Sequence, residues 1–169
     1  MKKDELYFIV LDMGCTEKYM PTPQDVVSDD EIISRIEDIT DLEKRDRDGR
    51  TLLINAAYHG RKTVIQYLLG RGADIHAKDA EEFTPLHASV IANDIECVKC
   101  LLEAGSDVNA KNMYGNHSIM MGNLATDLEI YKILMDYGAD PEQKNNYGIS
   151  AKDIYVCSEA IMKILNGEK

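Results

Sequence analysis

Cysteine and histidine are the residue types in this chain whose spacing could support metal or redox chemistry. Cys97 and Cys100 form a Cys-x-x-Cys pair, which is half of a common zinc site. The other two cysteines and the four histidines supply neither a second such pair nor the spaced histidines that would complete four ligands. Apolar residues flank both thiols, so we interpret them as core residues. An enzyme or metal-dependent sensor using Cys97, Cys100 and a histidine is the alternative.

Other catalytic signatures are missing from the sequence. It contains no glycine-rich phosphate loop, no nucleophile elbow and no cofactor fingerprint. Its 30 acidic residues are abundant enough to be ordinary solvated surface. We therefore predict that the chain is not an enzyme, with no catalytic residues, no cofactor and no bound metal.

The overall charge narrows the class of partner. The 169 residues carry a net charge of -11, which disfavours nucleic acid and anionic membranes and favours a basic protein. No apolar run reaches the length of a membrane span, and the apolar stretch near the N-terminus is too short for a signal peptide. We expect a cytoplasmic protein with reduced cysteines.

The elements that would position any site follow a repeat. Residues 84–88 read Thr-Pro-Leu-His-Ala. Residues of one type recur at 33-residue intervals around this stretch: Gly72, Gly105 and Gly138, and Lys78, Lys111 and Lys144. From about Asp46 onward the chain resembles the ankyrin-repeat family, whose 33-residue unit carries this signature.

The resemblance implies an all-α fold, an ankyrin-repeat solenoid of stacked helix-turn-helix units joined by hairpin-like loops. We expect five segments: an irregular acidic N-terminal cap (1–45), repeat 1 (46–78), repeat 2 (79–111), a degenerate repeat 3 (112–144) and a shortened C-terminal capping repeat (145–169). In the cap, residues 4–13 favour a short helix over a lone strand. A second helix should begin at Ser28, which can cap it, and bury Ile32 and Ile36.

Within the repeats, the pattern predicts an inner helix from Leu52 to Tyr58 and another that begins at Thr84-Pro85, each followed by an outer helix. Glu82 stands where the other hairpin tips have glycine, which predicts a different turn geometry at that tip. The resemblance assigns His87 a structural role, holding neighbouring loops together through hydrogen bonds.

In this family the hairpin tips and the inner-helix ends form a concave surface that usually holds the partner. Mapped onto this chain, that surface predicts the following partner-binding residues: Arg47, Arg50, Tyr58, His59, Glu81, Phe83, Ile91, Met113, Tyr114, Asn116, Leu124 and Tyr147. Tyr58, Ile91 and Leu124 lie one repeat apart and would form an apolar strip, unless they pack against neighbouring hairpins. The aromatic members of the set, Tyr58, Phe83, Tyr114 and Tyr147, are the expected anchors.

These features predict a non-catalytic module that binds a protein partner, as a monomer or within a heteromeric complex. A small acidic chain of this kind suits an inhibitor, such as a bacterial immunity protein that covers a basic toxin or nuclease. An adaptor or scaffold that links partners without inhibiting them is the alternative.

Overall fold

The structure, a computed structural model, describes residues 27–122 and 128–155. The helices in these two ranges are α1 (Asp29–Ile36), α2 (Leu52–Tyr58), α3 (Lys62–Gly70), α4 (Pro85–Ile91), α5 (Ile95–Glu103), a 3-10 helix (Ser118–Met120), α6 (Leu128–Asp136) and α7 (Ala151–Tyr155). Extended backbone pairs only in two isolated bridges there, Lys111 with His117 and Lys144 with Ser150. The predicted all-α class is confirmed.

The helices begin at strictly periodic positions. Inner helices start at residues 52, 85, 118 and 151, and outer helices start at residues 29, 62, 95 and 128, so each step is 33 residues. The series places α1 one step before α3, as the outer helix of a preceding unit. The repeat register therefore extends to residue 29, and the segment expected to be an irregular cap contains a helix in step with the repeats.

Local chemistry explains where the inner helices start. The Thr51 hydroxyl accepts from the amide of Ile54, and the Thr84 hydroxyl accepts from the amide of His87, which satisfies an amide that a helix start leaves unpaired. Pro85 occupies the first position of α4, where its lack of an amide hydrogen costs nothing. The helices predicted over Leu52 to Tyr58 and from Thr84-Pro85 are confirmed.

The inner helix of the third unit has no threonine cap at its start. His117 stands where the earlier unit has Thr84, and its side chain makes no cap hydrogen bond. Its Nδ1 instead donates to the carbonyl of Asn109, 3.0 Å away, so the ring is turned toward the preceding loop. The inner helix is correspondingly reduced to the 3-10 turn.

The core forms because inner helices pack on inner helices, and outer helices on outer helices, in successive units. Inner helix α2 packs on inner helix α4, while the outer helices pack in the order α1, α3, α5 and α6. Side chains from successive units meet in one continuous apolar cluster, whose fully buried members include Ile32, Ile36, Leu53, Ile65, Leu68, Leu86, Leu101, Ile119 and Tyr131. Each such side chain contributes about 1.5–3 kcal/mol by leaving water, which makes each unit depend on its neighbours.

Some predictions fall outside the described ranges. These are the helix over residues 4–13, the part of the C-terminal capping repeat beyond residue 155, Leu124, and the two cysteines other than Cys97 and Cys100, namely Cys15 and Cys157. Among residues 27–122 and 128–155, no helix combines the length and apolarity that crossing a bilayer would need.

Candidate protein-binding surface

Each of the four hairpin tips is built on the same side-chain cradle. A carboxylate or amide oxygen at the first tip residue accepts two backbone amides, those two and four residues further on. Asp46 accepts from Asp48 and Arg50 at 2.9 and 2.8 Å, and Asn112 accepts from Tyr114 and Asn116 at 3.0 Å each. Asp79 and Asn145 repeat the arrangement. The cradle needs one acceptor oxygen, so Asp and Asn serve equally.

Glu82 follows this geometry rather than departing from it. Its backbone has φ of 63°, against 75° for Gly49 and Gly115, and its amide donates to the carbonyl of Asp79 as that of Gly49 does to Asp46. The prediction of a different turn at this tip was therefore wrong. The cradle and the contacts between tips determine the turn, and Glu82 adopts a left-handed backbone conformation that is unfavourable for a residue with a Cβ.

Adjacent tips are joined to one another by backbone hydrogen bonds. The amide of Ala80 donates to the carbonyl of Asp48, and that of Met113 donates to Glu81, each at 3.0 Å. The amide of Asn146 continues the series to the carbonyl of Tyr114. The four tips thus form a continuous ridge whose backbone is held in place before any partner arrives.

Tyr58 lies at the end of inner helix α2, behind the first tip. Its ring is half-buried, with the Arg50 guanidinium 4.5 Å from the ring centroid. Burial raises the pKa of the Tyr58 phenol, against the opposing effect of Arg50 and with the nearby carboxylates of Asp79 and Glu81 adding to the rise. Arg50 also contacts Asp48 at 3.5 Å. The phenol is therefore neutral at physiological pH, with a guanidinium over its ring and carboxylates near enough to raise its pKa.

Ile91, one repeat later, is 43% exposed at the end of α4. Together Tyr58 and Ile91 give the proposed apolar strip two described members at equivalent positions. Leu124, the predicted third member, lies outside the described residues. His59 and Ala92 lie beside the two described members and are partly accessible.

The remaining predicted tip residues divide into exposed and packed groups. Arg47, Glu81, Met113 and Tyr147 are exposed. Phe83, Tyr114 and Asn116 are half-buried: the Phe83 ring meets His87 edge-on at 5.6 Å, and the Asn116 side chain accepts from Asn145 at 2.7 Å. Their packing roles leave Tyr147, at 70% exposure, as the most accessible of the four proposed aromatic anchors.

His87 joins two repeats from inside the stack. Nδ1 accepts from the Thr84 amide at 3.3 Å, so the proton resides on Nε2, which donates to the carbonyl of Asn116 at 3.1 Å. Burial lowers the pKa of His87 to about 4. The neutral ring thus ties the start of α4 to the next hairpin tip.

Cys97 and Cys100 lie buried on outer helix α5. Burial raises the pKa of both thiols, which keeps them protonated and poorly nucleophilic. In the ranges 27–122 and 128–155, no group of three or more His, Cys, Asp or Glu side chains is arranged to hold a metal ion.

Two accessible apolar residues were missing from the predicted set. Ile149 is 43% exposed on the last tip, and Ile154 is 45% exposed on α7. The 33-residue register places Ile149 among the tip residues, in step with Arg50 and Phe83, although the predicted set left it out; it could also have found Ile154, which is in step with Asn55.

Comparison with known proteins finds one matching family model and several relatives. A family model described as ankyrin repeats (3 copies) matches residues 28–112 and 78–145. Palmitoyltransferase AKR1 of Saccharomyces cerevisiae is 39% identical over 61 residues, which are 36% of this chain and 8% of that protein. Ankyrin repeat and SAM domain-containing protein 6 of Mus musculus is 35% identical over 60 residues, 35% of this chain and 7% of that protein. The chain thus spans less than a tenth of either relative.

Proposed function

The chain belongs to the ankyrin-repeat family, a family of protein-protein interaction modules, and on that premise we propose that it binds a basic protein on its concave side and inhibits it. Inhibition is steric, because the tip ridge and the inner-helix ends cover the functional site of the partner. A toxin or nuclease is the class of target that such a role fits.

The observation that carries this proposal is the preformed ridge beside a partly accessible apolar strip. Backbone hydrogen bonds of 3.0 Å join every tip to the next, so little conformational freedom is lost on binding. Tyr58 and Ile91 present apolar surface next to that ridge, where a simple solvated helix would carry charge.

The negative charge of the chain supports a basic partner. The net charge of -11 would accelerate encounter with a positively charged protein and disfavour acidic competitors. Around Tyr58 the carboxylates of Asp48, Asp79 and Glu81 outnumber the single guanidinium of Arg50. The strip therefore combines an apolar contact with a local excess of negative charge.

The test begins with capture of partners from the native cell, using the wild-type chain and the double variant Tyr58→Ala/Ile91→Ser. Tyr137→Ala is the matched control, because Tyr137 is also exposed but follows outer helix α6. A partner lost by the double variant and kept by the control supports binding on the concave side. A partner kept by all three proteins contradicts it.

The captured protein then decides between inhibitor and adaptor. Its activity is measured with increasing amounts of the wild-type chain. Complete loss at equal stoichiometry supports inhibition, whereas a bound partner with full activity overturns it and leaves the adaptor function. Raising the ionic strength should slow association with a basic partner.

A further inference from the structure

The four hairpin tips share a backbone but differ in charge along the stack. Segment 46–52 has four charged residues, Asp46, Arg47, Asp48 and Arg50, and segment 79–85 has three acidic ones, Asp79, Glu81 and Glu82. The equivalent segments 112–118 and 145–151 contain no Asp, Glu, Lys or Arg. The ridge therefore has a charged first half and an uncharged second half.

Turn geometry does not require this division. The cradle at each tip uses one acceptor oxygen, which comes from Asp46 and Asp79 in the first half and from Asn112 and Asn145 in the second. Because either residue type builds the same turn, turn geometry alone does not account for the loss of charge, and the second half of the ridge is left suited to apolar contact.

Apolar side chains replace the charges. Met113 is 51% exposed and Tyr147 is 70% exposed, and Ile149 and Ile154 are also among the exposed large apolar residues. We call Met113, Tyr147 and Ile149, which lie on the last two tips, the apolar tip patch. With Ile154 on α7, which directly follows the last tip, they make up four of the six large apolar side chains that are exposed in the described residues, so accessible apolar surface is concentrated in this part of the chain.

The backbone under the patch is tightly held. The amide of Asn146 donates to the carbonyl of Tyr114 at 3.0 Å, and its side-chain amide donates to the carbonyl of Met113 at 3.0 Å. The side chain of Asn145 adds a third bond to Asn116 at 2.7 Å. Three hydrogen bonds between two short turns make the patch a preorganised surface.

The acidic tip borders the patch directly. The amide of Met113 donates to the carbonyl of Glu81, which places the Glu81 tip against the first residue of the patch. The Glu81 side chain is exposed, while Glu82 pairs with Lys78 at 2.9 Å. A ligand lying along the ridge would therefore contact the apolar patch and, one tip away, the Glu81 carboxylate.

From this juxtaposition we infer that the apolar tip patch binds an apolar segment of the partner protein, oriented so that a flanking lysine or arginine meets Glu81. This inference rests on the proposed function and specifies the chemistry and direction of the bound segment. The patch supplies affinity, and the carboxylate at one end distinguishes the two directions.

The probe is a library of random dodecapeptides displayed on phage, selected against the immobilised wild-type chain. Enriched peptides should carry an apolar run with a basic residue at one end. Their binding, measured by fluorescence anisotropy with labelled synthetic copies, should fall about tenfold or more in Tyr147→Ser/Ile149→Ser, as expected for loss of anchor residues. Glu81→Gln should weaken basic peptides severalfold and leave truncated peptides that lack the basic residue unchanged. Tyr137→Ser is the control and should bind like the wild type.

Each other outcome overturns the inference. Peptides with acidic ends, or peptides that bind the Tyr147→Ser/Ile149→Ser variant as well as the wild type, contradict it. Peptides lost only in Tyr58→Ala/Ile91→Ser would leave the proposed function standing and move the anchor to the helix ends. Sedimentation showing a Tyr147-dependent dimer would make a second copy of the chain the occupant. A library without enrichment on the wild-type chain would overturn the inference, while the proposed function would still be decided by the capture experiment.

Discussion

Replacing Gly49 and Gly148 by alanine, one at a time, separates the contact between tips from the strain within a tip. The two glycines have the same left-handed backbone, with φ of 75° and 76°. A Cβ on Gly49 would lie 2.7 Å from the amide nitrogen of Ala80, whereas a Cβ on Gly148 would meet no atom within 4 Å. Both substitutions therefore carry the cost of the left-handed backbone, but only Gly49→Ala adds a clash with the neighbouring tip.

The magnitudes follow from these distances. Left-handed backbone costs a residue with a Cβ about 1–2 kcal/mol, and the stiffer unfolded chain of alanine returns about 0.4–1 kcal/mol. Gly148→Ala should thus lower the free energy of unfolding by at most about 1.6 kcal/mol. At Gly49 the clash must also push the next tip away and weaken the 3.0 Å bond between Ala80 and Asp48. Overpacking and the lost bond add about 1.5–4.5 kcal/mol.

Urea unfolding, followed by circular dichroism, measures both variants. Gly115→Ala provides a second test of the clash, because its Cβ would lie 2.8 Å from the amide nitrogen of Asn146, and it should resemble Gly49→Ala. Amide hydrogen exchange at Ala80 should rise in Gly49→Ala alone. Equal destabilisation at Gly49 and Gly148, with exchange at Ala80 unchanged, would refute the reasoning that the tips form one hydrogen-bonded ridge.

The remaining predictions concern strain, protonation and thiol reactivity. Glu82→Gly should stabilise the chain by about 0.5 kcal/mol in urea unfolding, because relief of the left-handed backbone exceeds the added freedom of glycine and the lost surface pair; a destabilised variant would contradict it. The pKa of His87 is about 4 in the folded state and about 6.5 in the unfolded state, so the unfolded state binds a proton first as the pH falls. The stability that the neutral ring contributes above pH 6.5 is therefore lost as the pH falls toward 4. The stability difference between wild type and His87→Gln should shrink by about 3 kcal/mol between pH 7 and pH 4, since all other titrating groups are shared; a constant difference would contradict the buried neutral ring. With the other two cysteines changed to serine, Cys97 and Cys100 should react with Ellman's reagent at a rate limited by unfolding, and rapid reaction of the native protein would be inconsistent with their burial.

The predicted binding residues show what sequence reasoning can supply for a site. The 33-residue register identified tip and helix-end positions from single residues, because a repeat places equivalent positions on the same side of the stack. It could not rank them. Phe83 and Tyr147 are both aromatic tip residues, yet Phe83 packs on His87 while Tyr147 is exposed. The difference depends on whether another tip and helix cover the position.

The amino-acid sequence by itself determined the repeat length, the all-α architecture and the starts of the inner helices. These properties depend on residues close in sequence, such as the Thr84 cap with Pro85, and on a period that survives degeneracy at any single position. Only the tertiary structure decided the conformation at Glu82 and the place of the accessible apolar surface. Both are set by contacts between units 33 residues apart, and the left-handed backbone at Glu82 persists because the cradle and the neighbouring tips stabilise the turn against the preference of the residue itself.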